Sequence, residues 1–549
     1  MFFRSKKSGK YEYLQIVENY RDESGRTRQR VLLTLGNMQR LRESGSLDSL
    51  LASGTRFSEK LALITAHKAG ESEPVSCRRI GPDAVFGKLW GELGIGDAIE
   101  RSLDGRKHRF SVERAVYHTV MHRLFESGSD RSSLTWSEDF HLEGTAGLEL
   151  QHLYRAMGFL GEPCADQANR TALSARCNKD RIEESLFGGR RDLFTQLDMV
   201  FFDTSSIYFE GEGGEGLGEY GKSKDHRPDR KQMIVGMVLD DGGIPICCEM
   251  WPGNVADVTT ISEIVKRFQR CFGIRDVCIV ADRGMISKKM IDFLESDQSS
   301  FSHILGVRLR NVKEVRETVL SRGGRYKVVE PDGTDHSPLK VKQVNLGERR
   351  YVICLNEAQA RKDKYDREAV VQALQEKLKQ GDKSLVGNKG YRKYLTNRGG
   401  TRFAIDEDKI ASEARFDGKW VLTTDREDMP AEKVALQYKR LWMVEQIFRT
   451  MKSGLDTRPI YHKLSDTIKG HVFCSFLAIL LRRELERRLA ERNWSFEWND
   501  ILHDLAAVEE VTARLSGKQV VFRSEMKGCA GKIFQAAGAR IPPTARFED

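Results

Sequence analysis

Among the ten cysteines no two stand in a C-x-x-C pair, and Cys247 and Cys248 are direct neighbours. This spacing argues against a zinc ribbon and against a secreted disulfide framework, so reduced cytoplasmic thiols are expected. A membrane-spanning run is missing too. The longest apolar stretch, HVFCSFLAILL at 471–481, is too short to cross a bilayer and is expected to form a buried helix. The opening MFFRSKKSGK has no hydrophobic signal core. Internal repeats and low-complexity tracts are absent. What is there describes a globular chain: 549 residues, 40% hydrophobic and 31% charged. That length predicts several domains, about three or four. The net charge is +9, and residues 1–40 hold nine Lys/Arg against four Asp/Glu. A basic excess of this kind suits a polyanionic partner and equally suits plain solubility.

Hydrophobic periodicity divides the chain. Two alternating segments around DESG in residues 11–36 predict a hairpin, and a polar stretch near 66–78 reads as a linker. Residues 81–195 are mostly helix-like. From residue 197 the pattern changes. MVFFDTSSIYFE predicts a strand, QMIVGMVLDDGGIPICCEMW two strands around a turn, VADVTTISEIVKRFQRCF a helix and DVCIVAD a short buried strand. The order β-β-β-α-β is that of a ribonuclease-H-like half-fold, in which the first and fourth strands are neighbours. A long β-rich insertion follows. Then GKWVLTTD predicts a fifth strand, and a helix beginning near Pro430 ends near Ser453-Gly454. The segment RRELERRLAER at 482–492 alternates charge as a solvated helix face does.

Three carboxylates stand out. Asp203 interrupts an apolar strand, Asp282 ends the buried strand, and Glu445 borders the helical stripe Leu441, Val444, Phe448, Met451 and Leu455. Taken singly, Asp203 could cap its own turn with Thr204, Asp282 could pair with Arg283, and Glu445 could be a charged helix boundary. In the β-β-β-α-β arrangement, however, Asp203 and Asp282 lie side by side and Glu445 faces them from the helix. Three carboxylates on rigid elements make a hard-oxygen site for two Mg²⁺ or Mn²⁺ ions. Tyr438, Glu445 and Lys452 are each seven residues apart, which predicts one nearly straight column along the helix. Lys452 would then stand roughly 10 Å from Glu445, where an ammonium suits a phosphate better than a cation. The loop KSKDHRPDRK at 222–231 carries five Lys/Arg, among them Lys224, Arg227 and Arg230, against two Asp. It reads as a phosphate-contacting loop or as a solvated charge run.

The segments FFDTSSIYF, IVADRG and YKRLWMVEQIFRTMK resemble the DDE transposases of bacterial insertion sequences. The likeness is to their cut-and-paste branch, with a Y-x2-R-x3-E-x6-K signature and a β-rich insertion before the glutamate. GKSKDHRPDRKQ and WPGNVADVTT fit the same group. The resemblance implies Asp203, Asp282 and Glu445 as the catalytic and metal-binding triad, with Tyr438 and Lys452 at the signature tyrosine and lysine, expected to hold DNA. Where the signature has arginine this chain has Leu441; Arg449 is the better-placed substitute for it than Arg440. Trp442 falls where relatives carry an aromatic near the reacting strand. The implied partners are double-stranded DNA, as element ends and target, and a second copy of the chain, with no membrane and no small-molecule substrate; the implied compartment is the bacterial cytoplasm. Rival readings are another ribonuclease-H-like nuclease and a non-enzymatic, transposase-derived regulator.

The expected fold class is α/β. Its regions are a basic hairpin-containing region at 1–65, a helical DNA-binding or dimerisation region at 78–195, a catalytic core at 196–298 and 416–462, a β-rich insertion at 299–415 and a helical C-terminal region at 463–549.

Overall fold

Strands that are apolar on both faces must be covered on both faces, and the buried strands Met199–Tyr208 and Cys278–Ala281 lie side by side within a nine-stranded mixed sheet. In this computed structural model the described residues are 2–21, 27–47, 49, 72–168, 170, 173–190, 197–274, 276–285, 288–294, 301–329, 339–380, 393–397, 403–515 and 518–547. Contacts divide the chain into two units. One comprises Met1–Gly81, Trp498–Gly531 and Arg540–Asp549, the other Pro82–Glu497 and Lys532–Ala539.

The sheet belongs to the second unit. Its strands are β1 (Met199–Tyr208), β2 (Gln232–Asp240), β3 (Pro245–Pro252), β4 (Cys278–Ala281), β5 (Ser302–Val307), β6 (Lys327–Val329), β7 (Leu339–Leu346), β8 (Arg349–Asn356) and β9 (Lys419–Thr424). Their spatial order is β6-β7-β8-β9-β5-β4-β1-β2-β3. The β1–β4 and β4–β5 pairs are parallel, and the others are antiparallel. The predicted β-β-β-α-β run is present, with α1 (Asp257–Arg267) as its crossover helix. Phe202, Val238 and Trp251 of the sheet pack with Ile261, Ile264 and Phe268 of the crossover in one buried cluster.

The fifth strand differs from the expectation. Ser302–Val307, expected inside the insertion, is the strand beside β4, and Lys419–Thr424 pairs antiparallel on its far side. SHILGV and KWVLTT are both short apolar runs. Only the pairing partner separates them, and local pattern does not encode it. The β7–β8 hairpin, expected in the insertion, extends this same sheet.

Helices α2 (Ala431–Lys439) and α3 (Trp442–Arg449) follow β9, and α4 (Ser465–Ala490) holds the apolar run at 471–481. Among the described residues no helix is long and apolar enough to cross a membrane. Before the sheet come helices Gly81–Glu92, Ile95–Ser102, Val112–Phe125, Asp130–Ser137, Leu150–Gly161 and Asn178–Arg190, as the periodicity predicts. Leu150–Gly161 lies so close to α4 that a Cβ on Gly470 would stand 2.7 Å from Met157 Cα. In the charged stretch of α4, Arg487 and Arg488 both reach back to Glu484, as i,i+3 and i,i+4 pairs.

In the first unit, Tyr11–Arg21 and Thr27–Asn37 form the expected antiparallel pair, and Phe2–Ser8 adds a third strand. The turn between them, 22–26, falls outside the described residues. Two expectations need correction. The end of the supposed linker, Ser72–Arg79, is a strand, while 66–71 lie outside the described residues. The C-terminal region, expected to be helical, also contributes Glu509–Leu515, Lys518–Arg523 and Ala545–Phe547 to a four-stranded sheet with that strand. Partners more than 400 residues apart leave no local hairpin signal. All ten cysteines are free thiols.

Candidate active site

The parallel β1–β4 ladder runs from Met199 opposite Cys278 to Phe202 opposite Ala281. The next residue on each side is the aspartate, so Asp203, within β1 and paired with Met237 of β2, stands level with Asp282 at the carboxyl end of β4. That is where open α/β sheets place their sites. The Thr204 amide donates to Asp203 Oδ1 at 2.7 Å. Lys224 Nζ donates to Thr204 O and Oγ1 at 2.6 and 2.7 Å and stands 3.6 Å from Asp257 Oδ2. Burial pushes the Asp203 carboxyl up to about 6, with repulsion from Asp282 and Glu445 adding to it and the Lys224 ammonium and the Thr204 amide opposing it. The three carboxylates are therefore electrostatic neighbours. Asp282 accepts a 2.7 Å hydrogen bond from Tyr438 Oη.

Glu445 lies in the first turn of α3 and is exposed. Trp442 and Arg449 occupy the same exposed face, three and four positions away. Trp442 is 55% exposed, which disposes of core packing as its role. Arg449 has no ion-pair partner among the described residues. Leu441 is buried in the stripe with Val444, Phe448, Met451 and Leu455, as read. Arg440 is occupied elsewhere, donating to the Asp241 carbonyl and lying 5.2 Å over the Phe201 ring.

The straight column does not form. Between α2 and α3 the amides of Arg440, Leu441, Met443 and Val444 each reach back three residues instead of four, at 3.0–3.2 Å. After α3 the backbone widens into a π turn over Thr450–Gly454. A seven-residue spacing aligns side chains only on an unbroken α-helix. Tyr438 therefore turns to Asp282, and Lys452 turns to a different acid. Lys452 Nζ is 2.7 Å from Asp225 Oδ1, and Arg458 Nη1 is 2.9 Å from the same oxygen. Burial lowers the pKa of Lys452, and Asp225 opposes that shift.

Two further cations of the loop, Arg227 and Arg230, are also paired. Arg227 makes two hydrogen bonds to Asp229 at 2.9 and 2.8 Å and covers the Tyr208 ring at 5.3 Å. Arg230 is 2.9 Å from Glu210. Sequence reasoning missed Asp225, Asp257 and Gly306. In the sequence Asp225 is only one of two acids that offset the loop's charge. Gly306 did carry a signal, because a glycine inside a strand marks a close approach.

Three hard-oxygen donors, one of them a carboxyl whose pKa is raised first by burial and further by like charge, suit a divalent cation in charge and in donor type. Among the described residues, no three His, Cys, Asp or Glu side chains close around one point as they stand. Of the three carboxylates, Glu445 is the exposed one.

Residues 195–481 match the transposase DDE domain, and residues 3–68 match the N-terminal domain of IS1634 family transposases. A comparison with curated proteins gives no match. Among solved structures, the chain is similar to the piggyBac transposase in its synaptic complex with hairpin DNA, at 10% identity, with 77% of each chain covered and a TM-score of 0.37.

Proposed function

The chain belongs to the DDE transposases of insertion sequences, and from that premise we propose that it excises and inserts its own element. It binds the terminal inverted repeats, frees a 3′-OH at each end and joins those ends to target duplex. The observation that carries this reading is the register that sets Asp203 beside Asp282, with Glu445 close enough to raise the Asp203 pKa. These three residues would hold Mg²⁺ or Mn²⁺, as two ions. When bound, the ions stabilise charge on the attacking and leaving oxygens of an in-line phosphoryl displacement.

Water attacks first, and one P–O bond forms as another breaks to leave the 3′-OH. That hydroxyl then attacks either the opposite strand, giving a hairpin end, or the target phosphate. Trp442 and Arg449 flank Glu445 on the exposed face and serve the DNA strand there. Lys224, Arg227, Arg230 and Lys452 serve neighbouring phosphates. Two copies pair two ends, so cleavage runs in trans.

The test uses purified full-length protein, duplexes that end in the repeats flanking the reading frame, Mg²⁺ and a target plasmid. The reading expects end cleavage followed by joined products. Nicking without joining would favour a ribonuclease-H-like nuclease. End binding with no nicking would favour a regulator.

Lys452 and Arg458 share Asp225, so a DNA phosphate must compete with that carboxylate for them. Asp225→Asn should therefore tighten duplex binding several-fold at about 0.1 M salt and steepen the slope of log K against log salt by about one unit. Fluorescence anisotropy across a salt series measures both. A fall in affinity would mean that Asp225 shapes the loop and does not mask its charge.

A further inference from the structure

Gly306 lies on β5, one step beyond Leu305, whose partner in the parallel ladder is Ala281. It is therefore level with Asp282. On its other side it pairs with Leu422 of β9, so it sits in the interior of the sheet. Glycine there costs about 0.5–1 kcal/mol relative to alanine, and the local space explains why it is present. A Cβ at this position would stand 3.0 Å from both the Arg283 amide nitrogen and Tyr438 Cζ, and nearer still to Tyr438 Oη. The missing methyl is the room into which the phenol enters to reach Asp282.

Three further observations bear on the phenol. Its 2.7 Å hydrogen bond occupies Asp282 Oδ1 and leaves Oδ2 to other partners. A phenol can donate its one O–H proton, and a carboxylate can only accept it, so the bond runs from Tyr438 to Asp282. The ring comes from α2, the helix next to the one that bears Glu445, so a single helical pair supplies one carboxylate and orients another.

We propose that Tyr438 is a positioning residue that fixes the Asp282 carboxylate for the divalent cation, and that Gly306 is the space that admits it. Tyr438 acts through the carboxylate and not on a DNA phosphate. Hydrogen-bond partners of metal-binding carboxylates are worth about 10- to 100-fold in metal affinity. This inference rests on the reading of Asp203, Asp282 and Glu445 as the metal-binding set.

The experiment is Mn²⁺ binding to the DNA-free full-length protein, followed by the loss of the free-ion paramagnetic signal. It is run beside end-duplex anisotropy over a salt series. Tyr438→Phe and Gly306→Ala should each weaken Mn²⁺ binding by about tenfold or more. Duplex affinity and salt slope should be unchanged. The double variant should be no weaker than the worse single one, because both remove the same hydrogen bond. Should Gly306→Ala fail to fold, Tyr438→Phe carries the test, since it removes only one oxygen. Unaltered Mn²⁺ affinity in Tyr438→Phe overturns the proposal. So does weaker duplex binding with a shallower slope, which marks a phosphate contact. Asp203→Asn separates the two levels. If it weakens Mn²⁺ binding while Tyr438→Phe does not, only the positioning role fails. If Asp203→Asn also binds Mn²⁺ normally, the metal-binding reading fails with it.

Discussion

Glu445→Gln should lower strand cleavage about a thousandfold or more, while binding of the element ends stays within about twofold of the parent chain. The substitution keeps shape and helix propensity and removes one negative charge. Glu445 is exposed and has no ion-pair partner among the described residues, so the fold loses nothing by the change. Stability should stay within about 0.5 kcal/mol, and relief of repulsion on Asp203 acts in the favourable direction. The loss falls on the transition state: a cation held by fewer charges cannot balance the charge that builds on the attacking and leaving oxygens. Single-turnover cleavage of an end duplex, with a mobility shift as the binding control, measures both quantities. Cleavage within tenfold of the parent would return Glu445 to the role of a charged helix boundary.

Sequence reasoning singles out the three carboxylates because each breaks a local rule. Asp203 stands within an apolar strand, Asp282 ends one, and Glu445 borders an apolar stripe. A charge in such a place demands a partner, and the β-β-β-α-β order implied which charges would meet. Readings that depended on unbroken regularity did less well. The seven-residue column assumed an ideal helix, but a tightened turn at Arg440–Leu441 and a widened one at Thr450–Gly454 redirect Tyr438 and Lys452. The acids that hold these side chains lie far away in sequence: Asp282 is 156 residues from Tyr438, and Asp225 is 227 residues from Lys452. Periodicity carries no information at that range. The same limit hid Ser302–Val307 as the strand beside β4, and hid the pairing of Ser72–Arg79 with Glu509–Leu515. Charge counting in the 222–231 loop found the cations but not the pairs that Arg227 and Arg230 make with Asp229 and Glu210.

Arg267→Met should destabilise the chain by about 3–5 kcal/mol. Arg267 ends α1 and is buried. It pairs with Glu249 of β3, with Glu183 at 2.5 Å and with Asp180 at 3.1 Å, the last two on helix Asn178–Arg190. Lys179 completes the cluster, 2.5 Å from Asp180 and 2.8 Å from the Cys248 carbonyl, which its Nζ donates to. Two cations thus face three carboxylates in a buried cluster, one positive charge short of balance. Burial opposes ionisation of Asp180, yet Lys179 and Arg267 hold its pKa below the usual carboxylate range, whereas burial raises that of Glu183 despite the same two cations. Without Arg267, three acids share one ammonium, and either a buried charge goes unpaired or a proton must be taken up.

The cluster ties the helical region to β3 and α1, beside the cluster where Phe187 meets Phe272 edge-on at 5.2 Å. Loosening it should lower the denaturant midpoint of the sheet unit. Adding Glu183→Gln to Arg267→Met should recover part of the loss, because it removes one of the stranded charges, and that recovery separates an electrostatic cause from a packing one. A single-variant loss below about 1 kcal/mol would mean that the apolar contacts alone hold the helix to the sheet.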